Sequence, residues 1–207
     1  MVAVAERPRH APADTDGRNL RRDRNRERVV RALLELYYEY NFEPSAEEIA
    51  ARSGVSARSI FRYFDDVDDL CRAAIDLHAY ETAHLLPILS TPDSDLDHKI
   101  QAVVSQRSEL FEKCGPIAVI TRLRAPFQPV IDELLTAVRN MLRLQITTLF
   151  APELAAMPAA LVPVRIAAGD IATSFETWLL LRHTNGFDRA SAEATVGDAL
   201  HLIFNTN

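Results

Sequence analysis

Three groups of residues in this 207-residue chain have side chains able to do chemistry. The first is Glu81-Thr-Ala-His84, the Glu-x-x-His spacing that sets two metal ligands on one helix face in helical-bundle di-iron sites. Such a site needs a second Glu-x-x-His and two further inward carboxylates, and the sequence holds no second copy. The second is the acidic run Asp65, Asp66, Asp68 and Asp69. Carboxylates in that density suit a hard cation, but they also suit the positive end of a helix, which is the simpler reading. The third is the pair Cys71 and Cys114, with neither a Cys-x-x-Cys nor a zinc spacing, which reads as two reduced, partly buried thiols. There is no HExxH, phosphate-binding loop, dinucleotide fingerprint or Gly-x-Ser-x-Gly. Neither catalysis nor a metal or cofactor is expected.

The arginines are the more informative residues. The formal net charge is -6, yet residues 1–64 hold twelve arginines against ten carboxylates, and residues 1–31 hold nine against five. The remaining 143 residues carry the acidic excess. Phosphates respond to a local patch rather than to whole-chain charge, so the N-terminal third is the part fitted to meet them. With 48% hydrophobic and 25% charged residues the composition is that of a globular protein. A chain of this length buries about 70% of its unfolded surface. No apolar run approaches the roughly 20 residues of a membrane span, and no signal-peptide core is evident. The expected setting is cytoplasmic.

These side chains are positioned by helices. Residues 1–18, rich in proline and charge, read as a disordered tail. Val30, Leu33, Leu34, Tyr37 and Tyr40 recur at helical spacing and predict a helix over about 21–40, stopped by a left-handed Asn41 and by Pro44. Ser45-Ala-Glu-Glu48 is a capping box that opens a short helix, and Gly54 is its expected left-handed end. Ser56 opens the next helix, with Ile60, Phe61 and Phe64 expected on an apolar face. The four aspartates open a long helix reaching about Leu86. Further helices are predicted at about 95–113, 116–124, 130–150, 163–184 and 190–204, separated by Gly115-Pro116, Pro126 with Pro129, Pro152 to Pro163, and Asn185-Gly186. No segment alternates with period two for long enough to need a sheet. The expectation is an all-α chain of about nine helices: a three-helix N-terminal domain at 19–65 and a helical domain at 66–207.

Two short helices joined by a glycine-containing turn and packed on a preceding helix make a helix-turn-helix. Ala50 permits close approach of the helices, Gly54 supplies the turn, Val55 seals the corner and Ile60 anchors the second helix. From Arg28 to Leu70 the chain resembles the TetR family of bacterial repressors, through Ser45-Ala-Glu-Glu-Ile-Ala-Ala-Arg-Ser-Gly-Val-Ser56 and Arg58-Ser-Ile-Phe-Arg-Tyr-Phe64. The resemblance implies a homodimer that binds double-stranded operator DNA and is released by a small, largely apolar effector. It aligns Ala57, Arg58, Ser59 and Arg62 with positions that face the major groove, Arg58 being the best candidate to read a base. It aligns Ser45, Ser56, Arg62 and Tyr63 with phosphate-contacting positions, and Arg21 and Arg22 belong to an arm able to reach phosphate or minor groove. Two departures lower the expected affinity. Phe61 stands where the family usually has tyrosine, and Val67 stands among aspartates where it usually has lysine.

Beyond the motif the family implies that the last two long helices dimerise. That assigns the interface to Ile171, Trp178, Leu181, Val196, Leu200 and Ile203. An effector pocket between the middle helices would draw on Phe111, Ile120, Leu123, Phe127, Leu142, Leu149 and Phe175. The polar residues His78, Arg107, Gln145 and Thr173 would orient its occupant. Two alternatives stand beside this reading: a DNA-binding protein of the same fold without a small-molecule effector, and a helical enzyme or scaffold.

Overall fold

The computed structural model describes residues 14–205, with side chains from Leu20 onward. Residues 1–13 lie outside the described residues, and α1 (Asp14–Tyr38) starts seven residues earlier than predicted. The chain divides into two compact units between Ala74 and Ile75.

The first unit is built on the apolar face of α1, where Val29, Val30, Leu33, Leu34 and Tyr37 are buried. The helix ends at Tyr38, two residues before its predicted end. Tyr40, not Asn41, takes the left-handed conformation (φ 61°). The Tyr40 amide donates to the Tyr37 carbonyl and the Asn41 amide to the Leu36 carbonyl, the crossed pair that closes a helix end. Then come α2 (Ala46–Ser53), α3 (Ala57–Ile60) and the start of α4 (Val67–Thr82). The predicted capping box forms in full. The Glu48 amide donates to Ser45 Oγ (3.2 Å), and Ser45 N donates to Glu48 Oε2 (2.8 Å). Gly54 ends α2 at φ 66°, as expected. Ile49, Val55, Ile60 and Phe64 fill the corner. The Tyr37 hydroxyl and the Cys71 sulfur lie 2.9 Å apart within it.

Phe61 corrects the expected apolar face. Helix α3 ends at Ile60, the chain turns, and Phe61 is 53% exposed. The acidic run caps α4: the Asp69 amide donates to Asp66 Oδ1 (2.7 Å), and Asp65 N donates to Asp69 Oδ2 (3.3 Å).

The second unit holds the rest of α4, a 3-10 turn at Ala83–Leu85, and then α5 (Leu96–Arg124), α6 (Pro129–Leu149), α7 (Ala151–Ala155), α8 (Val162–Ala172), α9 (Phe175–Leu179) and α10 (Arg189–Phe204). The described residues are all-α, as predicted, with ten α-helices in place of about nine. Three boundaries differ. Gly115-Pro116 does not divide α5, which runs through it. Proline inside a helix loses one backbone hydrogen bond, but Gly115 has no Cβ to clash with the ring, and Pro116 and Ile117 bury their side chains. The proline-rich stretch after Leu149 contains the short α7. The predicted helix 163–184 is interrupted at Thr173-Ser174. Thr173 Oγ1 donates back to the Gly169 carbonyl, and Ser174 caps a new helix by accepting from Thr177 N (3.1 Å). After α9 the chain passes into a π-helical turn, Leu180–Thr184.

The core of this unit joins α5, α6, α9 and α10 around Phe111, Phe150, Trp178, Leu200 and Phe204. Phe150 and Phe204 stack 4.1 Å apart. Helix α8 fits against them at Gly169, where an added Cβ would stand 2.8 Å from the Phe204 ring.

Candidate nucleic-acid interface and ligand cavity

In the first unit, α3 is held from below and open above. Ile60 is buried while Arg58 and Arg62 are exposed, and Ala57 and Ser59 are half-buried. Ser56 caps the helix: its Oγ accepts from Ser59 N (3.3 Å) and donates to Ser59 Oγ (2.9 Å). The Ser59 hydroxyl proton therefore stays available to a further acceptor. Ser45 is placed differently. Its hydroxyl donates to Glu48 Oε2 (2.7 Å), so its proton is already engaged in the capping box. The backbone and side-chain hydrogen bonds of Ser45, joined by one from Asn41, hold the Glu48 carboxyl below its ordinary range against the smaller opposing effect of burial. A fixed anion thus stands at the start of α2. Tyr63 accepts from Asn25 Nδ2 (3.2 Å), which ties α1 to the turn after α3 and leaves the phenolic proton free to donate.

Arg58, Arg62, Arg21 and Arg22, like Arg24 and Arg28, have no hydrogen bond or ion pair among the described residues, whereas some other arginines of the unit are engaged. Arg52 is bound to Glu39 at 2.9 Å, Arg31 to Glu27 at 2.9 Å, and Arg26 lies 4.8 Å from the Phe64 ring centroid. Guanidiniums held clear of carboxylates are suited to an external anion. Phe61 and Val67, at the two departures from the family pattern, are both exposed apolar residues.

The second unit holds a partly open cavity of about 150 Å³ between α4, α5, α6 and α9. Of the pocket candidates, His78, Phe111, Leu142 and Phe175 line it. The other pocket candidates require correction. Leu123, in the last turn of α5, is 54% exposed, and Phe127, at the end of the 3-10 turn 125–127, is 82% exposed, so both face solvent. Ile120 and Leu149 are core residues away from the cavity wall. Arg107 is buried in a polar knot instead: Nη1 donates to Gln145 Oε1 (3.0 Å) and to Gln106 Oε1, and Nη2 to the Leu142 carbonyl (3.0 Å). Burial lowers the Arg107 pKa to about 10, against the opposing pull of Asp170. Gln145 completes the knot through the Leu86 carbonyl (2.7 Å). Thr173 lines a separate outer groove of about 450 Å³ beside α8 and α9.

Several residues of the inner wall were not singled out from the sequence. Ile75, Leu134, Leu135, Val138, Cys114, Arg122 and Arg139 all line it. The spacing 131, 135, 138, 142 on α6 carries the helical signal for that face, but it does not distinguish cavity wall from packed core. Burial raises the Cys114 thiol to about 11, outweighing a hydrogen bond with Thr82 and the charge of Lys113, so it behaves as a small apolar group.

The dimer candidates also divide. Trp178, Leu181, Val196 and Leu200 are buried within the protomer and have no surface to offer a partner. Ile203 is half-buried. Ile171 is 66% exposed and shares its surface with Val164 on α8; on α10, Leu202 is 79% exposed. Among the described residues, no group of three or more His, Cys, Asp or Glu is placed to hold a metal, and no helix is long and apolar enough to cross a membrane.

Residues 29–74 match the family described as bacterial regulatory proteins, tetR family. A tetR-family transcriptional regulator from Streptomyces coelicolor, known from a crystal structure, superposes with a TM-score of 0.68 at 19% identity, over 87% of this chain and 80% of that one. No curated protein matches the chain.

Proposed function

We propose that the chain is a transcriptional regulator of the tetR family, on the match of residues 29–74 to that family and a fold like that of a solved tetR-family regulator, and that it represses from a palindromic operator as a dimer and leaves the DNA when a small effector binds. The observation that carries this reading is α3, capped and anchored at its base, with the free guanidiniums of Arg58 and Arg62 on its open side. Arg58 is the base reader. A bidentate pair with guanine is worth about 1–3 kcal/mol of discrimination. Arg62, Tyr63, Ser56, Ser59, Arg21 and Arg22 contribute phosphate or groove-edge contacts, and Ala57 leaves room for the groove wall. Ser45 acts as a cap. Its neighbouring backbone amides, not its hydroxyl, are the groups left for phosphate.

Dimerisation has a geometric purpose, because two recognition helices enter successive major grooves only when held about 34–36 Å apart. The exposed stripe of Val164 and Ile171 on α8, with Leu202 on α10, supports a four-helix contact between copies. The inner cavity, lined mostly by apolar side chains, supports a small effector. The protein is read as non-enzymatic and as acting in the cytoplasm.

Selection of bound duplexes from random DNA, repeated with Arg58→Ala, tests the core of the proposal. The expected result is a two-fold symmetric site for the native chain and loss of preference at one base position per half-site for the variant. An unchanged site in the variant removes Arg58 from its role, and no selected site at all removes the operator.

A further inference from the structure

The wall between the inner cavity and the outer groove is narrow in composition. Arg122, Arg139, Leu142 and Phe175 line both spaces. The two arginines are held together by one carboxylate. Arg122 Nε donates to Glu176 Oε1 (2.9 Å) and Nη2 to Oε2 (3.3 Å), while Arg139 Nη2 donates to the same Oε1 (2.6 Å). Burial by itself would raise the Glu176 carboxyl, yet the two guanidiniums bring it down to about 2. Arg122 also lies over the Phe175 ring, 4.5 Å from its centroid.

The charges are distributed unevenly across this wall. Glu176 and Asp170 line the outer groove only. The inner cavity has two guanidiniums on its lining and no carboxylate. The two guanidiniums share the single Glu176 carboxylate at the rim of an otherwise mostly apolar space. Phe111 and Phe175 meet edge to face on the same lining, with centroids 5.5 Å apart. An apolar cavity of about 150 Å³ is of the size that admits benzene.

We propose that the inner cavity takes an aromatic monocarboxylate of about benzoate size, its ring against Phe111 and Phe175 and its carboxylate on Arg122 and Arg139 in place of Glu176. The ligand supplies the same bidentate acceptor that Glu176 supplies in the empty protein, so binding exchanges one carboxylate for another and leaves no guanidinium unpaired. Glu176 is then an internal competitor, and its release frees the first turn of α9. This inference rests on the effector reading above and specifies the chemical class of that effector.

The test uses the full chain with benzoate and phenylacetate as probes and benzamide and phenylacetamide as uncharged controls, read by titration calorimetry and by the thermal midpoint. The carboxylates are expected to bind at least tenfold more tightly than their amides. Arg139→Gln is expected to weaken the carboxylates at least tenfold and leave the amides unchanged, with Arg139→Lys recovering part of the loss. Glu176→Gln, which removes the competitor, is expected to tighten carboxylate binding severalfold. Arg139 is largely exposed, so its substitution leaves the fold intact, and circular dichroism checks this. Amides binding as well as carboxylates, carboxylate affinity unmoved by Arg139→Gln, or no binding by either series overturns the proposal. A second arm adds the selected DNA. Carboxylates that bind without releasing DNA leave this ligand class standing and sink the effector reading. A neutral aromatic compound that releases DNA while the carboxylates do not bind does the reverse.

Discussion

At Gly54 the backbone turns with φ 66°, and an added Cβ would stand 2.6 Å from Arg28 Nη2. The left-handed conformation alone costs a residue with a Cβ about 1–2 kcal/mol. The contact is with the far end of a flexible side chain, which can move aside. Gly54→Ala should therefore lower stability by about 1–2 kcal/mol, seen as a lower urea midpoint with unchanged slope. A loss well above that would mean that the Arg28 guanidinium is fixed where it lies. At Glu176 the sign follows from a carboxyl held near 2 by Arg122 and Arg139, against an ordinary 4.5. Its contribution to stability is complete above about pH 4.5 and is lost as pH falls toward 2. Glu176→Gln should flatten that part of the acid limb and leave stability near neutral pH only slightly changed, because the bridge is half exposed. Equilibrium unfolding at a series of pH values reads this directly, and an identical acid limb in the variant would show that the bridge does not form in solution.

The elements were legible in proportion to how local their causes are. Ser45 with Glu48, Gly54, Ser56 and the aspartates before α4 act within three or four residues, and each does in the structure what its type and spacing predict. The continuous α5 and the break between α8 and α9 were not legible. Pro116 is tolerated because of what its ring and Ile117 bury, and the α8 break depends on two side-chain hydroxyls turned back onto the backbone. The candidate DNA-reading residues were reached through the family resemblance. The cavity rim was missed because its partners are 54 and 37 residues apart in sequence and only the fold joins them. Long-range contact also explains Gly169. In the sequence it is one of several small residues, but in the structure its missing Cβ is the space occupied by Phe204 and approached by Ile146. Gly169→Ala gains helix propensity and overpacks the contact between α8, α6 and α10. The overpacking should dominate, with a net loss of about 1–3 kcal/mol in chemical denaturation. Adding Phe204→Leu should recover part of that loss, since the clash is with the ring; strictly additive losses would place the strain elsewhere.

Across the whole molecule most of the acidic excess lies in the second unit's sequence, so on the proposed reading affinity for DNA does not come from net charge. On that reading it comes from a small patch used twice. A single unit with two exposed apolar departures, Phe61 and Val67, and a fixed anion at Glu48 is expected to bind phosphate weakly by itself. Coupling two such units raises the effective concentration of the second once the first is bound, typically by a factor of 10²–10⁴ in overall affinity. The surface proposed to couple them centres on Ile171 and Leu202, large apolar side chains that are mostly exposed in the protomer. Placing a charge there in each copy sets like charges against each other in a drying interface without disturbing the protomer core, to which neither residue belongs. Ile171→Glu with Leu202→Glu should therefore give a folded monomer by sedimentation equilibrium. Its affinity for the two-fold site should fall about a hundredfold or more, while binding to an isolated half-site stays as it was. A variant that remains dimeric with native operator affinity would move the dimer interface to another face of the second unit.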